Sequence, residues 1–160
     1  MKDLSLYIHI PFCKTICLYC NFLTFAHKNK WIPQYIQALL QEIEARAKQY
    51  KDYQIETIYF GGGTPSLIEA TYIEEILQKI STHFKLIKKP EISIECNPES
   101  INTEKLEHYK KAGVTRFSLG VQSFNKKTLL RIARPHDHLT IYKALDAFQK
   151  ADIKNFGADF

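Results

Sequence analysis

The chain has 160 residues, 45% hydrophobic and 24% charged, enough to bury one substantial core and to exclude a disordered or low-complexity segment. No apolar run approaches the ~20 residues that cross a bilayer, and the N-terminus lacks the basic-then-apolar order of a secretory signal, so a reducing cytoplasmic setting is expected. Net charge is +5, but the lysines (Lys85, Lys88, Lys89, Lys105, Lys110, Lys111) are spread along helical faces; they read as solvated surface with a lean toward anionic ligands, and no nucleic-acid partner is expected.

In chain order, strand patterns alternate with helix patterns, which predicts βα units and a parallel α/β sheet. Leu4 to Ile10 reads as the first strand, and a helix follows from about Ile32 to Tyr50, with Pro33 in its first turn. Ile55 to Phe60 is the second strand. A glycine turn follows it, and Ser66-Leu-Ile-Glu69 predicts a capping box opening the next helix, whose apolar stripe is Ile73, Ile76, Leu77 and Ile80. Glu91 to Cys96 is the third strand, before a helix over Thr103 to Ala112 that stops at Gly113. The fourth strand runs from Thr115 to about Val121. Helical pieces over Lys126 to Ala133 and Leu139 to Ala151 follow, parted by Pro135. Lys154 to Phe160 reads as a fifth strand in which the sequence stops, so a fragment with an uncovered sheet edge is expected. No internal repeat or linker marks a second domain.

Strand parity separates two faces. Leu4, Leu6, Ile8 and Ile10; Ile92, Ile94 and Cys96; Phe117, Leu119 and Val121; and Phe156, Ala158 and Phe160 should pack under helices. The other face carries Tyr7, His9, Ser93, Glu95, Ser118, Gly120, Gln122, Gly157 and Asp159, too polar for a filled interior and suited to a ligand cavity at the C-terminal strand ends.

Three cysteines, Cys13, Cys17 and Cys20, fall within eight residues after the first strand. Three thiolates can bind three irons of a cubane cluster and leave the fourth open to a small molecule. A structural zinc site normally closes with four ligands; His27 could complete a Cys3His set, so zinc stays a minor alternative. A disulfide framework fits poorly with this composition, and Cys96, of opposite parity to Glu95, reads as a small core residue. Gly61-Gly62-Gly63-Thr64-Pro65, between a strand and a helix, matches neither the dinucleotide fingerprint nor a P-loop; its weight comes from lying with the cysteine loop.

Tyr7-Ile-His-Ile-Pro-Phe-Cys13 with its C-x3-C-x2-C spacing, Gly61-Gly-Gly-Thr-Pro65, Ile94-Glu-Cys-Asn-Pro98 and Ser118-Leu-Gly-Val-Gln-Ser-Phe-Asn125 occur in the order found in radical S-adenosylmethionine (SAM) enzymes. The chain resembles the N-terminal part of their core domain, in the group containing oxygen-independent coproporphyrinogen III oxidase and its heme-chaperone relatives. The resemblance implies a partial (β/α)6, TIM-barrel-like fold cut within the fifth strand. It also implies a 4Fe-4S cluster on Cys13, Cys17 and Cys20, with SAM on the unique iron as the source of a radical. Carried over by motif, Tyr7, Gly62 and Glu95 would contact that SAM; Tyr19, Gly63, Thr64, Gln122, Arg134 and Asp159 match contacts of a second SAM; and His9 faces substrate. Heme or porphyrin and an electron donor such as flavodoxin or ferredoxin are the implied partners.

The oxidase pattern has one more cysteine two positions beyond the third, where this chain has Phe22; Arg134-Pro-His136 also resembles the chaperone branch. That branch is therefore expected, without coproporphyrinogen decarboxylation. A zinc module and an inactive remnant are the readings from other classes.

Overall fold

The computed structural model describes residues 2–160. Five parallel strands form one sheet: β1 (Lys2–Ile10), β4 (Tyr53–Gly62), β5 (Lys85–Cys96), β6 (Arg116–Gly120) and β7 (Phe156–Asp159), hydrogen-bonded in that spatial order. Two further strands, β2 (Phe12–Cys13) and β3 (Phe25–Ala26), make a separate parallel pair. The helices are α1 (Ile32–Ala47), α2 (Ala70–His83), α3 (Thr103–Ala112), α4 (Lys126–Arg131) and α5 (His138–Lys150). Because sequential strands are spatial neighbours throughout, the sheet never reverses direction. It forms a section of barrel wall, with no doubly wound crevice.

Helices cover one face only. Ile8, Ile10, Ile58, Phe60, Ile92, Ile94, Cys96, Phe117 and Leu119 point from the sheet into the apolar layer formed with Ile36, Ile43, Ile73, Ile76, Ile80, Leu106, Ile141 and Phe148. The expected parity thus holds in β1, β5 and β6. In β7 it does not: all four residues are exposed, as is Phe160, and only Phe156 reaches the core edge, stacking on Phe148 at 4.6 Å. The outer edge of β7 carries no partner among the described residues.

Element boundaries follow local chemistry. Gly113 ends α3 at φ +107°, a left-handed C-cap that a Cβ would strain. Asn102, Asn125 and Asp137 each accept a backbone N–H at the start of α3, α4 and α5. β5 begins six residues before the expected Glu91, but its pairing with β4 jumps from Leu86 to Glu91, because Pro90 has no N–H to give a ladder.

The expected capping box at Ser66 is corrected: Pro65–Leu67 is a 3-10 turn, and α2 starts at Ala70 without a side-chain cap. The Ser66 hydroxyl instead accepts from the Asn97 N–H at 3.1 Å and pairs with the Ser100 hydroxyl. A reciprocal capping box does exist, at Asn97 and Ser100. Its Asn/Ser chemistry lies outside the S/T-x-x-E pattern that drew attention to Ser66.

Tyr109 is fully buried, and among the described residues its hydroxyl has no hydrogen-bond partner. An unpaired buried hydroxyl costs free energy. Tyr109→Phe should therefore raise stability by about 1 kcal/mol, read as a higher midpoint in thermal or urea unfolding.

Candidate functional site

The open face of the sheet carries a cleft of about 180 Å³ at the C-terminal strand ends. It is built outward from β1. Pro11 leads into β2, and Phe12 and Cys13 pair with Phe25 and Ala26 of β3, so the cysteine loop is a closed excursion hung from the end of β1. The Phe25 N–H donates to the Pro11 carbonyl at 2.7 Å, and the Leu18 N–H donates to the Ile132 carbonyl at 3.2 Å. His9 makes another fastening: Nε2 meets the Leu23 carbonyl at 2.9 Å and Nδ1 meets the Tyr7 hydroxyl at 3.0 Å. A carbonyl only accepts, so Nε2 carries the proton and Nδ1 accepts from Tyr7. Both ring nitrogens of the residue expected to face substrate are thus engaged within the chain.

The glycine turn lies against this loop. Gly63 N–H donates to the Ile10 carbonyl and Thr64 N–H to the Phe12 carbonyl, each at 2.9 Å. A Cβ on Gly63 would stand 2.8 Å from the Phe12 carbonyl oxygen and 2.9 Å from Cys13 Sγ, closer than atoms pack. Only a glycine leaves room for the Cys13 sulfur there.

Of the expected site residues, Cys13, Cys17, Cys20, Tyr19, Gly62, Gly63, Thr64, Glu95, Gln122, Arg134 and Asp159 all line the cleft. Tyr7 does not; its ring stacks on Tyr59 at 6.1 Å. Phe22, the residue that departs from the oxidase pattern, stands in the cleft wall. Glu95 is fixed through both oxygens, accepting from the Tyr59 hydroxyl at 2.7 Å and the Gly62 N–H at 3.2 Å. Burial and this contact push the Tyr59 phenol well above its ordinary range, so it remains a donor. Asp159 accepts from the Ser118 hydroxyl at 2.7 Å, and its carbonyl takes the Gln122 N–H at 2.7 Å. Gln122 adopts φ +65°, and Ala133, beside Arg134, φ +57°. Strained backbone at two walls of one cleft fits a site held for its geometry.

Three groups received no contact role from the sequence reading. Tyr59 shares the parity of Gly61 and could have been found by it. Asn97 gave no signal beyond its motif. Glu99 and His136 lie at 3.0 Å, with the His136 side chain fully buried and its Nε2 on the Val121 carbonyl at 3.2 Å. They lock the Arg134 segment to the turn after β5.

All four cysteines are free thiols. Burial raises the Cys13 thiol against the Thr64 hydroxyl at 3.6 Å, which favours the thiolate. It raises Cys17 too, opposed by the Arg134 charge and the Tyr19 hydroxyl. Cys96, inside the core, is pushed up to about 12 by burial. Among the described residues no group of three or more His, Cys, Asp or Glu side chains is close enough to hold a single metal ion. His27 is absent from the cleft lining: the pairing ends at Ala26, and His27 turns away at φ +58°. Cys13, Cys17 and Cys20 thus share one cleft, and His27 does not join them there. Around them, Arg134 with Glu95 and Asp159 gives the cleft lining both signs of charge.

Residues 7–160 match the Radical SAM superfamily, and the chain belongs to that superfamily. The more particular likeness is to two kinds of protein within it. The chain is 37% identical over 161 residues to the heme chaperone HemW of Buchnera aphidicola, covering 99% of this chain and 42% of that one. It is 35% identical over 147 residues to the oxygen-independent coproporphyrinogen III oxidase of Salmonella typhimurium, covering 91% of this chain and 32% of the relative. The coproporphyrinogen III oxidase structure from Escherichia coli superposes with a TM-score of 0.90 at 31% identity, over 99% of this chain and 37% of that one. The parallel α/β architecture is that of the radical SAM barrel, in part. The chain spans about two fifths of the HemW relative's length. No helix among the described residues is long and apolar enough to cross a membrane.

The buried pair sets a pH limit. Burial would raise the Glu99 carboxyl, but His136, its own backbone and Arg134 outweigh this and hold it below its ordinary 4.5. A lowered carboxylate contributes stability above its unfolded value and loses it as pH falls through the folded one. Glu99→Gln should cost roughly 2 kcal/mol at pH 7. In urea unfolding at stepped pH, the gap to the parent should narrow below pH 4.5.

Proposed function

We propose that Cys13, Cys17 and Cys20 hold a 4Fe-4S cluster whose fourth iron is left for SAM, and that the chain is the N-terminal part of a heme-chaperone-like radical SAM protein. The observation that carries this is the single cleft in which the three thiols meet Gly63, whose missing Cβ leaves the Cys13 sulfur its place. When bound, the cluster would supply one electron to reductive cleavage of SAM.

The chain's own residues do the rest. Glu95, oriented by Tyr59 and Gly62, presents a carboxylate to the SAM ammonium; Arg134 presents a cation to a carboxylate. Gln122 and Asp159 line the side of the cleft away from the cysteine loop, where a second SAM or a substrate would lie. Heme or porphyrin is the proposed cargo, by likeness to the HemW relatives, and a flavodoxin or ferredoxin the proposed reductant. Phe22 favours the chaperone branch, since it fills the wall position where the oxidase pattern has its further cysteine.

Anaerobic reconstitution with iron and sulfide should load about four irons per chain and give a reduced-cluster electron paramagnetic resonance signal that shifts when SAM is added. A signal indifferent to SAM, or zinc in place of iron, overturns the reading. Hemin binding without conversion of coproporphyrinogen III supports the chaperone branch; turnover supports the oxidase. Gly63→Ala should reduce iron uptake several-fold while the far-ultraviolet circular dichroism stays unchanged.

A further inference from the structure

Four side chains from four separate loops form one continuous hydrogen-bonded chain from Cys13 to the cysteine loop's Tyr19. Thr64, in the glycine turn, donates its hydroxyl proton to Cys13 Sγ at 3.6 Å. The same hydroxyl oxygen accepts from Asn97 Nδ2 at 3.1 Å. Asn97 Oδ1 accepts from Arg134 Nη1 at 3.0 Å, and Arg134 Nε donates to the Tyr19 hydroxyl at 3.0 Å. Tyr19 lies in the cysteine loop, two residues from Cys17.

The donors and acceptors fix the direction of the Arg134–Asn97–Thr64 bonds. The Asn97 amide donates at one end and accepts at the other, so the Thr64 oxygen is occupied and its proton is left for sulfur. Arg134 carries the positive charge, and the series of dipoles points it toward Cys13 through Asn97 and Thr64. Space for the joint comes from Gly120, where a Cβ would stand 3.1 Å from Asn97 Oδ1 and 3.2 Å from Arg134 Nη2.

Donors aimed at cluster sulfurs stabilise the added electron and raise the reduction potential. We propose that the Thr64–Asn97–Arg134–Tyr19 chain is a potential-setting device for the cluster on Cys13, Cys17 and Cys20, with Asn97 as the positioning residue that joins its two halves. This rests on the cluster reading above and gives Thr64, Arg134 and Tyr19 a role independent of any second SAM. Asn97 itself touches no cysteine and acts only through Thr64 and Arg134.

The test is a potentiometric titration of the reconstituted chain, followed by the reduced-cluster resonance signal. Thr64→Val, close in volume but without a donor, should disfavour reduction about tenfold, 59 mV for one electron, whereas Thr64→Ser should hold the parent value. Asn97→Ala should shift the same way, and the double variant should move little beyond either single one. Fully additive shifts, or an iron-loaded Thr64→Val protein at the parent potential, overturn the proposal while leaving the cluster intact. Should Asn97→Ala fail to fold, the Thr64→Val and Thr64→Ser pair decides alone. A parent chain that takes up no iron overturns the cluster reading and this one together.

Discussion

The parallel register of β1 against β4 is the constraint on which the site depends. It sets Ile10 opposite Gly62, so that the two strands end level and the segments leaving them run side by side. From that alignment come the backbone bonds of Gly63 and Thr64 to Ile10 and Phe12, and with them the seat for the Cys13 sulfur. A slip of one residue would turn every β1 side chain to the opposite face, taking His9 away from the loop it fastens and sending Ile8 and Ile10 into the cleft. The register is protected because Ile10, Ile58 and Phe60 are fully buried in the helix-covered layer. Burial of roughly 1.5–3 kcal/mol per such side chain makes the slip prohibitive.

The two faces of the sheet divide the work. The helix side is apolar and supplies the stability; the open side carries hydrogen-bonded polar groups that supply the arrangement. Glu95, Asp159, Arg134 and Glu99 are each engaged by neighbours from a different element. A cleft with this density of fixed donors and acceptors is preorganised, so a charged ligand meets oriented groups and spends little on ordering them.

Much of this was legible in the sequence. Period-two alternation in Leu4 to Ile10 and Glu91 to Cys96 gave the strands and their faces, and the cysteine spacing with the glycine turn located the cleft. What escaped was tertiary. The β2–β3 pair has two residues per strand, too short for any periodicity. Ser66 carried a valid capping pattern, but a hydrogen bond to a segment 31 residues away outbid the local one. The Glu99–His136 pair joins positions 37 apart: His136 stood in the noted Arg134-Pro-His136 run, but nothing marked Glu99 as its partner. In the last strand the expected apolar face is not buried: Phe156 meets only Phe148 at the core edge, and Phe160 stays exposed.

The way the cysteine loop is fastened bears on how metal could be loaded. Its outer part is closed by the two-residue β2–β3 ladder and tied down by the Leu18 bond to Ile132, the His9 imidazole and the Arg134–Tyr19 bond, while Leu18, Phe22 and Leu23 stay exposed. Releasing these ties costs far less than disrupting the isoleucine layer beneath. The outer loop is therefore a hatch on a finished wall: on the cluster reading proposed above, it can open over Cys17 and Cys20 while the sheet beneath stays folded.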